Sequence, residues 1–252
     1  MENGASRQAA AGKRLLDARL LAAYELTPHC RLCADIGADH GKLSAALLGE
    51  GRVEHMLVSD ISEKALAKAR KLLATLRLSK RATFVAADGL QALDALEGRT
   101  AEAICLLGLG GDTIAEVLRQ GRARLGGAVL VLGAQTELPV LRQTLCDIGY
   151  RLREERVVEV TGRFYIVMQA CLAVEAEAAY TEKELLLGPC LLRSLPDAWA
   201  LILRRREHLL HTAQEAMRQA ENQKDRPRLS AVEQELFYVR EALAALAQKE
   251  TE

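Results

Sequence analysis

Long apolar stretches are missing from this chain. It contains no run of about eighteen or more uncharged apolar residues, which excludes an ordinary membrane-spanning helix. The opening MENGASRQAAAGKRLL lacks the apolar core of a secretion signal, so a soluble, cytoplasmic protein is expected. A surplus of charge is missing as well. Lys and Arg total 34 and so do Asp and Glu, so a polyanionic partner would have to be held by a local patch. Aromatic residues are few, with three Phe, five Tyr and one Trp, which leaves little choice of platform for stacking a nucleobase. The six cysteines (Cys30, Cys33, Cys105, Cys146, Cys171 and Cys190) are too sparse for a secreted disulfide scaffold and read as reduced core thiols. Cys30 and Cys33 form a C-x-x-C beside His29. No second pair follows at zinc spacing, however, and the motif enters a strand where a redox motif would open a helix.

What the chain does contain is a regular alternation. Strands are predicted over Arg31–Ile36, His55–Asp60, Ala82–Ala87, Ala103–Leu107 and Ala128–Leu132. Helices are predicted near Lys42–Leu48, Glu63–Leu76, Leu90–Leu96, Thr113–Gln120 and Leu138–Ile148. That rhythm implies parallel strands joined by right-handed crossovers, an α/β doubly wound sheet of Rossmann-like type. After Gly149 two longer strands, Tyr150–Val160 and Arg163–Val174, are separated only by Thr161 and Gly162, a turn that joins antiparallel neighbours. Ahead of the sheet, Lys13 to Leu21 read as one or two helices ending at Pro28 and packing beside the sheet edge. Beyond Pro196, Trp199, Ile202, Arg206, Leu209, Ala213, Ala216 and Ala220 recur three and four apart. Leu229, Val232, Leu236, Val239, Leu243 and Leu246 do the same. An antiparallel coiled-coil hairpin is expected, with Pro227 stopping its first helix and Ser230 with Glu233 as a capping box for the second. The domain boundary is placed between residues 190 and 191.

In an open parallel sheet, ligands bind beyond the carboxyl ends of the strands. Those ends read Asp35-Ile-Gly37-Ala-Asp39-His40-Gly41, then Asp60 with Ile61, then Asp88-Gly89, then Gly108-Leu109-Gly110-Gly111. An acid after the second strand suits a ribose diol, which fits a nicotinamide dinucleotide or S-adenosylmethionine alike. The first loop separates the two. A dinucleotide loop needs small neutral residues so that backbone N–H groups reach a pyrophosphate, and the carboxylate of Asp39 opposes that. S-adenosylmethionine carries a sulfonium and an ammonium, so acids at the strand ends become attractive. Asp88 is placed to accept from the adenine amino group. The competing view of Asp35 and Asp60 is that they only cap helices.

The segments ADIGADHGKL, SDIS, ADGLQAL, LGLGG, GRFYIV and LLLGP follow the order and spacing of the bacterial tRNA (adenine(22)-N(1))-methyltransferases of the TrmK type, which this chain resembles from about Lys13 onward. The resemblance implies a class I methyltransferase domain, a C-terminal helical coiled coil, S-adenosylmethionine as donor and a tRNA adenine as acceptor. It places Gly37 and Asp39 at the donor loop, Asp60 at the ribose and Asp88 at the adenine, and it matches Arg14 to an early K-R-L. Three motifs depart from the family pattern: L-Q-P-N is here Leu132-Gly133-Ala134-Gln135, G-K-x-Y-E is Gly162-Arg163-Phe164-Tyr165-Ile166, and A-G-M-G-G is Leu107-Gly108-Leu109-Gly110-Gly111.

Adenine N1 has a free lone pair, so methyl transfer to it needs alignment and a partner for developing positive charge, not a base. Asp39 is the candidate for that role, with Gln135 as an amide partner. His40 either orients one of them or closes a hydrogen-bond network at the helix start. Tyr165 and Arg163 on the penultimate hairpin, Arg14, Lys68 and Lys71 of a basic run, and Arg205 of a triple arginine are the candidate tRNA contacts. His208 and His211 read as solvated positions. Two other classes stay open on the residues alone: a methyltransferase with another RNA or a small molecule as acceptor, and a noncatalytic donor-binding scaffold.

Overall fold

The computed structural model describes residues 14–174, 178–219 and 226–249. They fall into two compact units, 1–178 and 179–252. Lys13 and Ala220, two residues of the expected helices, lie outside the described residues.

The first unit holds α1 (Ala18–Leu26), β1 (Cys30–Ile36), α2 (Lys42–Gly49), β2 (Val53–Asp60), α3 (Glu63–Thr75), β3 (Ala82–Ala86), β4 (Ala103–Leu109), α4 (Gly111–Gln120), β5 (Val129–Ala134), α5 (Leu138–Asp147), β6 (Tyr150–Val160) and β7 (Arg163–Leu172). One seven-stranded sheet results, in the order β3-β2-β1-β4-β5-β7-β6. The first five strands are parallel, whereas β7 runs antiparallel to both β5 and β6. The helices that cover parallel strands on both faces require continuous apolar runs, and β1 and β4 are buried along most of their length. The order moves outward from β1 to β3 and then jumps back to β4, so strand direction of travel reverses between β1 and β4.

One expectation for this unit needs correction. The segment at Leu90–Leu96 is a 3₁₀ helix over Gly89–Leu96, not an α-helix. The N-terminal helix α1 packs on the edge strand β6 and on its neighbours β7 and β5, and against α2, with Ala22, Ala23, Tyr24 and Leu26 buried. Asp17 caps it, accepting from Leu20 N at 2.9 Å. At its C-terminal end Arg52 donates to the carbonyl oxygens of Glu25 and Thr27, and Gln169 donates to that of Leu26, at 2.6 Å. The Thr161-Gly162 turn has φ of 49° and 77°, the positive pair that a two-residue hairpin demands.

The second unit comprises α6 (Glu182–Leu187), α7 (Pro189–Ser194), α8 (Asp197–Gln219) and α9 (Arg226–Lys249). Thr181 and Glu184 form a reciprocal capping box for α6. This unit starts ahead of the 190/191 boundary because the partners of α6 lie on α9: Glu182 accepts from Tyr238 Oη and Lys183 pairs with Glu241. The helices α8 and α9 run antiparallel, clasped by Arg206–Glu235, Arg240–Glu207 and Arg218–Glu233. Arg206, out of place in an apolar seam, is accommodated by a two-pronged contact with Glu235 at 2.6 and 2.8 Å. The buried residues of α8 are Trp199, Leu203 and Leu210, so Leu209, expected in the seam, is exposed. The expected capping box of α9 is absent. That helix starts at Arg226 with Pro227 in its first turn, Ser230 is inside it, and Glu233 instead accepts from Gln214 and Arg218.

Candidate active site

The carboxyl ends of the parallel strands open into a cleft of about 590 Å³. Nine of the residues singled out in the sequence line it: Asp35, Gly37, Asp39, His40, Asp60, Ile61, Asp88, Gly89 and Gly108. They meet because each follows or ends its strand on the same side of the sheet.

The turn after β1 is built by backbone conformations that most residues avoid. Gly37, Asp39 and Gly41 have φ of 71°, 47° and 66°. At Gly41 a side chain is excluded twice over, because a Cβ there would stand 2.8 Å from the Cβ of Ala69 on α3. The left-handed conformation of Asp39 turns its N–H toward Asp60, whose Oδ2 accepts at 3.0 Å. The other oxygen of Asp60 accepts from Ser62 N at 2.8 Å, just ahead of α3. One carboxylate thus ties the ends of β1 and β2 together and keeps a lone pair on each oxygen for a ligand.

Asp35 is buried and accepts from Ser44 Oγ at 2.6 Å. Burial pushes its carboxyl up to about 6; the Ser44 hydrogen bonds oppose that shift and the nearby charge of Asp60 adds to it. The folded chain therefore holds this proton more tightly than the unfolded chain, whose value is 3.8. The stability this supplies is complete below about pH 4 and is lost as pH rises through about 6, a change of about 3 kcal/mol. A bound cation reverses the preference by favouring the ionised form. Calorimetric affinity for S-adenosylmethionine is expected to rise between pH 5 and 7 and then level off, and Asp35→Asn should flatten the rise.

His40 Nε2 is 3.3 Å from Asp39 Oδ1 and 3.0 Å from Lys68 Nζ. One nitrogen cannot donate to the carboxylate and accept from the ammonium at once, so the tautomer of His40 decides which neighbour it serves. Lys68, one of the expected RNA contacts, is thereby drawn toward the cleft.

Other sequence candidates lie elsewhere. Gly110 precedes α4, where a Cβ would stand 2.5 Å from Asp112 Oδ1, and it does not line the cleft. Gln135 is exposed in the loop after β5, also off the lining. Arg14, Arg163 and Lys71 are exposed, and Arg205 belongs to the second unit. Tyr165 is half-buried and does not line the cleft, yet the guanidinium of Arg19, which does, sits 5.6 Å from its ring centroid. Sequence reading missed Asp17, Arg19 and Lys42 in the lining. Two arginines near Lys68 and Lys71 in the sequence are engaged within the fold: Arg81 donates to the carbonyls of Glu54, Leu48 and Val53, and Arg70 lies over Phe84. Among the described residues no group of three or more His, Cys, Asp or Glu is placed to hold a metal ion, and His211 pairs with Glu215. Nor, among them, is any helix long and apolar enough to cross a membrane. The six cysteines are free, with the Cys33 and Cys105 sulfurs 3.9 Å apart.

The lining gathers five carboxylates, those of Asp17, Asp35, Asp39, Asp60 and Asp88, against the fixed cations of Arg19 and Lys42. Such a field repels a pyrophosphate and attracts a phosphate-free cation.

Comparison with known proteins agrees with this chemistry. Residues 33–241 match the family model TrmK, tRNA (adenine(22)-N(1))-methyltransferase. The tRNA (adenine(22)-N(1))-methyltransferase of Bacillus subtilis (strain 168) is 28% identical over 166 residues, which is 66% of this chain and 68% of that protein. The crystal structure of the B. subtilis M1A22 tRNA methyltransferase TrmK is similar in fold, with a TM-score of 0.81 at 22% identity over 90% of this chain and 98% of that one. That of M. capricolum TrmK, in complex with S-adenosyl-homocysteine, gives 0.79 at 18% identity over 92% and 99%. The family match spans most of the chain, from β1 into α9, and the protein belongs to the tRNA (adenine(22)-N(1))-methyltransferase family.

Proposed function

We propose that the acidic cleft takes S-adenosylmethionine as methyl donor, and that the chain uses it to methylate N1 of adenine 22 in tRNA, the reaction for which its family is named. The observation that carries this reading is the ring of five carboxylates around a cleft at the β1–β4 reversal.

Bound S-adenosylmethionine supplies an electrophilic methyl group on a sulfonium. The remaining work falls to the chain. Asp60, already fixed by two backbone N–H groups, accepts from the ribose hydroxyls, and Asp88 accepts from the adenine amino group. Asp35, ionised once a cation is near, and Asp39 at the turn after β1 set a negative field around the sulfonium side of the cleft. No residue has to remove a proton, because the attacking N1 carries none and the methylated ring keeps a positive charge. Asp39 is the carboxylate placed to stabilise that charge, and its 72% exposed side chain leaves it open to an incoming base. Gln135 would join only through a movement of its loop.

For the tRNA body, Lys64, Lys68 and Lys71 lie at i, i+4 and i+7 on one face of α3, and all three are exposed. Replacing Lys64 and Lys71 together by Glu is expected to raise KM for tRNA at least tenfold in 0.1 M salt and to leave the affinity for S-adenosylmethionine within about twofold. An unchanged tRNA KM would remove this face from the interface.

The direct test is to incubate the protein with labelled donor and tRNA from a strain lacking the modification, then digest and identify nucleosides by mass spectrometry. The expected product is 1-methyladenosine, and mass spectrometry of ribonuclease fragments of the same tRNA is expected to place it at position 22. Labelling of another nucleoside, or of none, overturns the reading.

A further inference from the structure

If the cleft takes S-adenosylmethionine as proposed above, one charge of that ligand still lacks a partner. Its sulfonium and ammonium suit the carboxylates of the lining, but its α-carboxylate is repelled by all five of them. The lining offers two fixed cations, Arg19 and Lys42.

Arg19 is the better prepared. Its side chain is 23% exposed, and its guanidinium lies over the Tyr165 ring, 5.6 Å from the centroid, a contact that favours one placement of the head group. Asp17 approaches only to 3.8 Å, and no acceptor among the described residues takes a hydrogen bond from the guanidinium. A half-buried fork with idle donors is suited to a planar, two-oxygen anion.

Its place in the fold also fits. A Cβ on Gly108 would stand 3.2 Å from Arg19 Nη1, so the head group rests against the carboxyl end of β4. Asp60 and Asp88 follow β2 and β3, on the far side of β1 from β4. A ligand whose adenosine is held by those two acids directs its amino-acid end across β1 toward Arg19. Lys42, by contrast, is an exposed point charge on a flexible stem at the start of α2.

We propose that Arg19, positioned by Tyr165, is the counter-ion of the donor's α-carboxylate and sets the preference of the cleft for an amino-acid tail over an amine tail.

The test compares binding of S-adenosylmethionine with that of its decarboxylated analogue, which keeps the sulfonium and ammonium but lacks the carboxylate. The wild-type protein is expected to bind the analogue about 10- to 100-fold more weakly. Arg19→Met should shrink that ratio to about threefold or less by weakening S-adenosylmethionine alone; unchanged affinity for the analogue shows that the cleft remains folded. Arg19→Lys, which keeps the charge and loses the fork, should recover part of the ratio. Tyr165→Leu should weaken S-adenosylmethionine by a few fold and spare the analogue.

Equal wild-type affinity for both ligands overturns the proposal. So does a ratio carried by Lys42→Met, or an Arg19→Met protein that keeps its donor affinity and loses only tRNA KM. A wild-type protein that binds neither ligand overturns instead the donor assignment on which this rests.

Discussion

Replacing Asp60 by alanine is expected to weaken S-adenosylmethionine binding by about 100-fold. Two contributions combine. On the proposed donor pose the ligand loses the carboxylate that accepts its ribose hydroxyls, and the loop loses the acceptor that holds the N–H groups of Asp39 and Ser62 at 3.0 and 2.8 Å. Hydrogen bonds to a charged group contribute about 1.5–3 kcal/mol each, and the exposure of this loop puts them at the low end, so two lost bonds give roughly 3 kcal/mol. Asp60→Asn should fall nearly as far, since one amide oxygen cannot serve both N–H groups and its NH₂ would face one of them. Calorimetry reads the affinity directly. In turnover assays the loss should appear mainly in KM for the donor, because the role proposed for Asp60 is to bind the ribose of the donor and not to act on the transferred methyl. A change in affinity of threefold or less would remove Asp60 from the site.

The residues that converge at the cleft were legible where they punctuate strands. Asp35, Asp60, Asp88 and Gly108 each end or follow an apolar run, and one topological rule places all such positions at one mouth. Asp17 and Arg19 were not legible. They belong to a helix that reaches the cleft only because α1 packs across β5, β6 and β7, a long-range arrangement that no local spacing encodes. Tyr165 fell between these cases: its strand was correctly placed, but it meets the site through Arg19, not by lining it.

In the hairpin of the second unit, strict alternation of threes and fours counted forward from Trp199 reaches Leu209. The buried face, however, runs through Leu203 and Leu210. From Trp199 to Leu203 and on to Leu210 is the same alternation started with a four instead of a three, a choice of phase that counting forward from one residue cannot make, and the Arg206–Glu235 contact, which falls on both counts, does not decide it. The antiparallel pairing itself, set by the short connection, was readable.

A buried ion pair was hidden for a related reason. Arg142 shares the face of α5 that carries Leu138, Leu141 and Leu145, and Glu155 sits on β6 three residues beyond Leu152. Simple alternation from Tyr150 and Leu152 would turn Glu154 inward. A register shift between Leu152 and Glu154 changes the parity and buries Glu155 instead.

Arg142 and Glu155 are both 0% exposed at their side chains, with Arg142 Nη2 and Nε at 2.8 and 3.0 Å from Glu155 Oε1. Removing one partner takes from the other buried charge its contact at 2.8–3.0 Å, so Glu155→Ala is expected to destabilise the first unit by about 3–5 kcal/mol. At about 2–4 °C per kcal/mol for a unit of this size, the melting temperature should fall by roughly 10 °C. Arg142→Ala should do comparable harm. The pair Arg142→Met with Glu155→Leu, apolar and of similar volume, should recover most of the loss, because the desolvation of two charges disappears along with their attraction. Neither residue lines the cleft, so Glu155→Ala protein that is still folded at low temperature should bind S-adenosylmethionine within about twofold of the parent. Unfolding followed by calorimetry, with donor affinity measured in parallel, separates the two effects. A double variant no more stable than either single one would mean that the pair holds α5 to β6 through directional contacts that apolar packing cannot replace.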